Sequence, residues 1–385
     1  MDSKVAQFYA TANLTGNPFR SNATLDNDPR MQIWVGYERE KKALAKFLLR
    51  SRSDQIGNSN FLMVYGDLGV GKSHALFWAR YQILEKQRAE YNSVCYYVQT
   101  LRKDGKISFG AAFREDIVGK SAIVADVLSC KQFLDECVVE YRRDAHLGME
   151  VPREAILQKL IGSVELFNFA KLVVQCGSET DVKNLLLPTK SSDFTAMTLL
   201  CRLVNLFVLE IALPTTTKRF KKGAYLFIDE LDLLATSTAK EAREANELIR
   251  HIYDSCPNCF CLVLSFTASA AELNILFAEY VLSRVSRQVI MQLLDLDEAK
   301  LFVRDILDND SVRADKKGKR GYYPFDENAV QTIVSQIVSI TPRKVINAMQ
   351  QVLEEVRLLE YDFSKGPVTA TYLDDNDVIE DILGQ

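Results

Sequence analysis

Long apolar runs are missing from this sequence of 385 residues, and none approaches the ~18 residues that a membrane-spanning helix needs. An excess of positive charge is also missing, because the formal net charge is −4 at pH 7. Any contact with nucleic acid is therefore expected from local basic patches. The first residues, Met1-Asp2-Ser3-Lys4, lack the charged-then-apolar layout of a secretion signal. No internal repeat or low-complexity tract is visible. We expect a cytoplasmic protein.

The eight cysteines are spread through apolar contexts, which indicates reduced thiols rather than a disulfide framework. One group has the residue types of a zinc site: Cys256-Pro257-Asn258-Cys259, with Cys261 and His251 nearby. Zinc sites need a second pair of ligands at suitable spacing, and no such pair is obvious. Since Cys259 and Cys261 alternate along a β-rich run, the sequence favours core thiols over a metal site.

The most informative segment is Gly66-Asp67-Leu68-Gly69-Val70-Gly71-Lys72-Ser73, which matches the phosphate-loop pattern G-x-x-x-x-G-K-[ST]. An apolar run precedes it as a buried strand, and a helix is predicted to follow. Backbone N–H groups in such a loop turn toward the phosphates, and the helix N-terminus adds partial positive charge. Lys72 would neutralise the β- and γ-phosphates, and Ser73 would hold Mg²⁺. The predicted nucleotide contacts are Gly66, Asp67, Gly69, Val70, Gly71, Lys72, Ser73 and His74. An ordinary glycine-rich turn is the alternative.

Hydrolysis of a bound nucleotide also needs an acidic group. The apolar run Ala224-Tyr225-Leu226-Phe227-Ile228 is predicted to be a strand that ends in Asp229 and Glu230. Ligand sites in open α/β sheets lie outside the carboxyl ends of the strands. We therefore expect Asp229 to hold Mg²⁺ through its water shell and Glu230 to polarise the attacking water. The alternative is a solvated strand exit formed by these two residues and Asp232.

With these two motifs, the sequence resembles the AAA+ ATPases, nearest the branch of origin-recognition initiators and regulators of DNA transposition. The resemblance extends over roughly residues 15–360 and includes four further segments in the family's order. These are Asn17-Pro18-Phe19 with Trp34-Val35-Gly36-Tyr37-Glu38-Arg39-Glu40 for the adenine box, Leu262-Val263-Leu264-Ser265-Phe266-Thr267 for the sensor-1 strand, Ser283-Arg284-Val285-Ser286-Arg287 for the trans-acting arginine, and Thr341-Pro342-Arg343-Lys344 for the sensor-2 helix.

The resemblance implies roles for single residues in these segments. Val35 would lie near the adenine, and Arg343 would face the γ-phosphate from the first turn of a helix that Thr341 caps. Arg287, or alternatively Arg284, would act as an arginine finger in a neighbouring subunit's site. If that segment is helical, the two arginines share a face. Thr267 or Ser265 would orient the lytic water. The alternatives are a solvated helix charge for Arg343 and a helix cap for Thr267 or Ser265.

The predicted organisation is an α/β fold, a P-loop AAA+ unit with a parallel sheet core, a large helical insertion and a C-terminal helical lid. The N-terminal arm is predicted at residues 1–35, the nucleotide-binding domain at 36–294 with its insertion at about 108–215, the lid at 295–360 and an acidic tail at 361–385. The predicted helices are Glu38–Leu49, Ile123–Tyr141, Arg153–Ile161, Val164–Gln175, Met197–Leu213, Asp297–Leu307, Glu327–Val338 and Pro342–Leu358. The insertion is expected to carry contacts with a protein partner.

Two expectations concern partners. Origin-recognition initiators normally continue into a winged-helix domain, and the roughly 25 residues after the lid fall below the ~40 that a domain needs. This favours compact ATPases that act by assembling. Arg102, Lys103 and Lys106 lie in a loop that faces the central channel in DNA-encircling relatives. Further basic clusters occur at 218–222 and 316–320, and each cluster is alternatively a solvated face.

The sequence therefore predicts a Mg²⁺-dependent ATPase that forms homo-oligomers with ATP and assembles on duplex DNA without sequence preference. Its role would be that of a regulator or loader of the transposition or replication type. The alternative from another class is a nucleotide-gated signalling or defence switch that acts on a protein partner without DNA. A third possibility is a motor such as a helicase loader or remodeller.

Overall fold

The computed structural model describes residues 3–19, 33–189 and 192–383. The chain divides into two units. The first comprises Met1–Lys41, Gly66–Trp78 and Ile290–Gln385, and the second comprises Lys42–Tyr65 and Ala79–Val289.

Five strands form one sheet, and two short hairpins lie apart from it. In chain order the strands are β1 Asn60–Gly66, β2 Ser93–Val98, β3 Arg102–Lys103, β4 Lys106–Ile107, β5 Glu210–Ala212, β6 Thr217–Arg219, β7 Gly223–Ile228, β8 Phe260–Thr267 and β9 Arg287–Met291. The sheet order is β2-β7-β8-β1-β9, and β7 pairs in parallel with both β2 and β8. Every residue of β1 and of β7 is buried, which explains their continuous apolar sequences. The predicted α/β fold with a parallel sheet is confirmed.

Helices make up most of the remaining described structure. They are α1 Ser3–Thr11, α2 Glu38–Arg50, α3 Lys72–Tyr81, α4 Arg88–Tyr91, α5 Phe109–Ala112, α6 Ile123–Asp144, α7 Arg153–Ile161, α8 Val164–Gln175, α9 Glu179–Leu186, α10 Asp193–Phe207, α11 Ala239–Asp254, α12 Leu273–Leu276, α13 Glu279–Leu282, α14 Leu296–Leu307, α15 Glu327–Ser335, α16 Pro342–Leu358, α17 Ala370–Asp375 and α18 Val378–Leu383. Over the described residues, no helix is both long enough and apolar enough to cross a membrane.

Helices α6 to α10 lie in the second unit, within the range predicted as the insertion, and α6 packs against α7, α8 and α9. The structure places α7 and α8 at their predicted bounds. The side chain of Ser163 caps α8 by accepting a hydrogen bond from the N–H of Leu166, as its residue type favours. The prediction of a helix over Met197–Leu213 is wrong at its end. That helix stops at Phe207, because Glu210–Ala212 pairs antiparallel with Thr217–Arg219.

The N-terminal segment belongs to the core of the first unit rather than forming a polar arm. Tyr9, Ala12, Leu14 and Phe19 are buried in one cluster with residues of α14, α15 and α16. Val5, Phe8, Tyr9 and Ala12 have the i, i+3, i+4 and i+7 spacing of a helix, and the prediction of a polar arm overlooked this signal. The part of the predicted arm at residues 20–32 lies outside the described residues.

The segment predicted as an acidic tail also packs into the first unit. Leu373 of α17 and Val378 of α18 are buried in the same cluster as the lid helices. Asp374, Asp375, Asp377 and Glu380 of this segment are exposed. The segment after residue 360 therefore shares one hydrophobic core with α14, α15 and α16.

Candidate functional site

The phosphate loop follows β1 and leads into α3, as the sequence predicts. Its glycines adopt positive φ values of +151° at Gly66, +85° at Gly69 and +95° at Gly71. Residues with a Cβ rarely adopt such angles, so the loop depends on glycine at these positions. The ammonium of Lys72 donates hydrogen bonds to the carbonyl oxygens of Gly66 and Asp67 at 3.0 and 2.8 Å. The loop thus curls around its own lysine.

The loop has the features of a phosphate cradle. A Cβ built on Gly71 would meet no atom within 4 Å, so space is open at this position. Among the described residues, no acceptor pairs with the backbone N–H groups of Gly69, Val70 and Gly71. Donors that point into open space bind anions readily, and the N-terminus of α3 adds partial positive charge. These residues fit the phosphates of a nucleotide, with Ser73 at the start of α3.

Two contacts place the start of α16 against the loop. Thr341 caps α16, since its side chain accepts a hydrogen bond from the N–H of Lys344. The N–H of Arg343 donates to the carbonyl of Gly69 at 3.2 Å. A Cβ on Gly69 would lie only 3.1 Å from the Cβ of Arg343. The structure therefore brings Arg343 to the phosphate loop, and its side chain is exposed there.

The predicted adenine box is held against α3. The ring of Trp34 packs edge-on against that of Trp78, with 5.1 Å between their centroids. The Nε2 atom of His74 lies 2.7 Å from the carbonyl oxygen of Ile33, at hydrogen-bonding distance. Val35 is 9% exposed between these anchors. The sequence analysis did not predict the contact between Trp34 and Trp78. Its only signal in the sequence was the aromatic residue Trp78 within α3.

In the second unit, the acidic pair follows β7. Asp229 is 3% exposed, and its Oδ2 accepts a hydrogen bond from the hydroxyl of Tyr97 at 2.8 Å. Its Oδ1 accepts the N–H of Glu230 at 2.9 Å. These bonds fix the orientation of the Asp229 carboxylate. Tyr97 was not predicted as a site residue. It is the last but one residue of the neighbouring strand β2, whose end pairs Val98 with Ile228, the residue before Asp229.

Glu230 stands in a left-handed conformation, with φ of +52°, just beyond the strand. Partial desolvation raises the pKa of its carboxyl, and the nearby carboxylates of Asp229 and Asp232 raise it further. A hydrogen bond from the side chain of Gln99 and the charge of Lys103 act in the opposite direction. A carboxyl with a raised pKa holds a proton more readily, which suits a general base.

The two polar residues of the predicted sensor-1 strand differ in environment. The N–H of Thr267, at the end of β8, donates to the carboxylate of Asp232. Ser265 is fully buried, and its hydroxyl finds no hydrogen-bond partner within the described structure. Thr267 is therefore the one of the two that lies beside the acidic strand ends.

The two candidate arginines do not share a helix, so the expectation of a common helical face is wrong. Helix α13 ends at Leu282, and Arg287 is the first residue of β9. The guanidinium of Arg284 pairs with both carboxylate oxygens of Asp254 at 2.6 and 2.8 Å. Arg287 is exposed and makes no ion pair with any acid in the described ranges. Of the two, Arg287 is the one available to another molecule.

The predicted DNA loop forms the hairpin β3–β4. Lys103 lies 2.9 Å from Asp116 and 3.3 Å from Glu115, and only 11% of its side chain is exposed. Arg102 donates to the hydroxyl of Ser237 at 3.5 Å. Lys106 is exposed in this hairpin and has no acid partner in the described part of the chain. The three predicted residues lie together, but Lys103 is held within its own unit.

No family model matches the chain, and no curated protein matches it. Among solved structures, the chain is similar to the Aeropyrum pernix ORC2 protein in ADPNP–ADP complexes, with a TM-score of 0.47 and 13% identity over 93% of this chain and 71% of that one. It is similar to Drosophila ORC bound to DNA, with a TM-score of 0.48 and 12% identity over 97% and 65% of the two chains. Cdc6p from Pyrobaculum aerophilum matches with a TM-score of 0.45 and 11% identity over 90% and 67%.

The similarity to these structures is one of overall fold. The assignment of each site residue is based on the sequence motifs and on the contacts within this chain.

The cysteines form no metal centre in the described structure. All eight are buried free thiols. No group of three or more His, Cys, Asp or Glu side chains among the described residues is arranged to hold a metal ion. A Mg²⁺ ion at a phosphate loop needs fewer protein ligands, because phosphate oxygens and waters supply most of them.

Proposed function

We propose that this protein binds and hydrolyses ATP with Mg²⁺, oligomerises with ATP and assembles on DNA as a regulator or loader of the transposition or replication type. The observation that carries the nucleotide part is the loop Gly66–Ser73. Its positive-φ glycines, open N–H groups and adjoining Arg343 form a cradle for a triphosphate within one unit. The cytoplasm, where ATP is plentiful, is the proposed location.

In this proposal, Lys72 and the N–H groups of Gly69 to Gly71 hold the β- and γ-phosphates. Ser73 and Asp229 would hold Mg²⁺, which neutralises charge on the phosphate oxygens when it is bound. Glu230 accepts a proton from the attacking water, and its raised pKa supports that role. Thr267 orients this water.

The remaining assigned residues bind or complete the site. Val35 contacts the adenine, His74 supports it from α3, and Arg343 contacts the γ-phosphate. Arg287 offsets the charge that develops on the transferred phosphoryl group in a neighbouring subunit's site. Its exposure and its lack of an ion pair with a described acid support this assignment over Arg284.

DNA binding is proposed to be independent of base sequence and to depend on assembly. A weak basic patch in one subunit becomes effective when several subunits present it together. Arg102, Lys103 and Lys106 are the residues proposed from the sequence, and Lys106 is the most accessible of them.

The alternative function is a nucleotide-gated switch that binds a protein partner through the insertion. One observation favours it, since the insertion exposes several large apolar side chains. These are Val139 at 68%, Met149 at 87%, Val164 at 67%, Leu172 at 49% and Phe194 at 67% exposure.

The test of the leading proposal is ATP turnover measured with Mg²⁺, with and without duplex DNA. We expect turnover that requires Mg²⁺ and rises when DNA is added, together with larger assemblies imaged with a slowly hydrolysed ATP analogue. Turnover that DNA leaves unchanged, with no DNA binding at low salt, would refute assembly on DNA and favour the switch.

A further inference from the structure

The loop between α14 and α15 concentrates positive charge in the first unit. Lys316, Lys317 and Lys319 are exposed, and none of their ammonium groups makes an ion pair with a described acid. The ammonium of Lys319 lies 4.7 Å from the centre of the Tyr323 ring, which restrains it by a cation–π contact. The loop's own acid, Asp315, accepts the backbone N–H of Lys317. The three lysines are therefore available to an external anion.

The neighbouring charges are already paired or buried. Arg320 binds the carboxylate of Asp310 at 2.6 Å and lies 3.7 Å from that of Asp308. Arg313 is 3% exposed, and its guanidinium donates to the carbonyl oxygens of Tyr323 and Gly321. Arg320 consequently engages Asp308 and Asp310, and the three lysines outnumber Asp315, the one acid among residues 315–320.

The backbone of the loop is held in one shape by Asn13 of the N-terminal segment. Its side-chain amide donates to the carbonyl oxygens of Asp315 and Lys319, both at 3.1 Å. Its Oδ1 accepts the N–H of Asp315 at 2.7 Å. A Cβ on Gly318 would come within 2.6 Å of the Asn13 amide nitrogen, so a larger residue there would displace the Asn13 side chain. A loop that is ordered in advance loses less conformational entropy when it binds.

We infer that the lid loop Asp315–Arg320 is a contact surface for the phosphate backbone of duplex DNA. Lysine ammonium groups bind phosphates as point charges, and phosphate contacts position a protein on DNA without reading its base sequence. The side chains of Arg320 and Asn13, whose planar groups suit bidentate base contacts, are engaged within the protein, so we expect binding without base preference. Unlike Lys103, the three lysines need not break an ion pair to reach a phosphate. This inference rests on the proposed assembly on DNA and names the surface that performs it.

The test compares four versions of the protein, each with a slowly hydrolysed ATP analogue and a fluorescent duplex. The variant carries Lys316→Glu, Lys317→Glu and Lys319→Glu. A matched control reverses three other exposed lysines, with Lys183→Glu, Lys240→Glu and Lys365→Glu, and so changes net charge equally. Affinity is measured between about 50 and 200 mM salt, where phosphate contacts dominate its salt dependence.

We expect the lid-loop variant to lose more than about tenfold in affinity and to show a salt slope shallower by about 2 to 3. The control should keep most of the affinity, and both variants should retain ATP turnover without DNA. A variant with the three lysines changed to Gln should fall between wild type and the Glu variant. A lid-loop variant that binds DNA as the control does would overturn the inference and leave the proposed function standing. Wild-type protein that binds no duplex at low salt would overturn both.

Discussion

Replacement by alanine should have different effects at two glycines of the phosphate loop. A Cβ on Gly66 would lie 2.1 Å from the carbonyl oxygen of Met291, far inside van der Waals contact with backbone. A Cβ on Gly71 would meet nothing within 4 Å. Both have φ values that disfavour alanine. Gly66→Ala should therefore damage the fold, whereas Gly71→Ala should chiefly damage nucleotide binding.

The expected magnitudes follow from strain and overlap. Left-handed backbone costs a residue with a Cβ about 1–2 kcal/mol, and this is the only cost for Gly71→Ala in the protein itself. Overlap with the Met291 backbone adds about 1–3 kcal/mol for Gly66→Ala, because the chain must shift to relieve it. In the proposed complex, the new methyl group of Gly71→Ala occupies space near the phosphates. A loss of tenfold in ATP affinity corresponds to about 1.4 kcal/mol, and we expect at least that.

Denaturant unfolding and isothermal calorimetry with ATP test these values together. Gly105→Ala is a matched control, since its φ is +78° and a Cβ there would also meet nothing within 4 Å. It should lose stability as Gly71→Ala does and bind ATP as wild type does. If folded Gly71→Ala protein binds ATP with wild-type affinity, the open space at Gly71 does not receive phosphate.

The other predictions concern charge. Lys72→Ala should remove detectable ATP binding from a folded protein in calorimetry, and unchanged affinity would contradict the phosphate-loop assignment. Glu230→Gln should keep ATP bound but stop turnover, since the amide accepts no proton from water; turnover at the wild-type rate would place the base elsewhere. Because a general base must be deprotonated, turnover should fall as the pH drops through the raised pKa of Glu230. Asp232→Asn removes one carboxylate that raises this pKa, so the acid limb of the pH–rate profile should move to lower pH, and an unmoved limb would argue against this coupling. Arg287→Ala should bind ATP yet hydrolyse slowly, and mixing it with Lys72→Ala subunits should restore some turnover; no rescue despite co-assembly would count against a shared site.

Local sequence signals predicted the parts of the structure that local chemistry determines. The strand, loop and helix around Lys72 follow from an apolar run, three glycines and a helix start. Helix α16 begins at Pro342 as predicted, because Thr341 can cap it and proline fits the first turn. The signal for each feature lies in residues close together in the sequence.

Tertiary contacts decided the features that the sequence did not reveal. The N-terminal residues look polar, yet Asn13 bonds to backbone 302 and 306 residues further along the chain. The apolar run after Phe207 continues a helical pattern but becomes a strand, since a partner strand lies within reach at Thr217–Arg219. Tyr97 reaches Asp229 across 132 residues of sequence. Propensity and periodicity carry no information about such partners.

The three basic clusters show this limit most clearly, because they look alike in the sequence. In the cluster at 218–222, Lys218 pairs with Glu140 and Lys222 pairs with Asp54, 168 residues away. In the hairpin, Lys103 is held by Asp116. An ion pair must be broken before such a lysine can bind a phosphate, and the gain in binding is reduced by that cost. Among the described residues of the three clusters, only the cluster at 316–320 combines exposed lysines that make no ion pair and a backbone that Asn13 holds in place. Charge reversal at Lys316, Lys317 and Lys319 is therefore the sharper test of DNA binding than reversal at the hairpin.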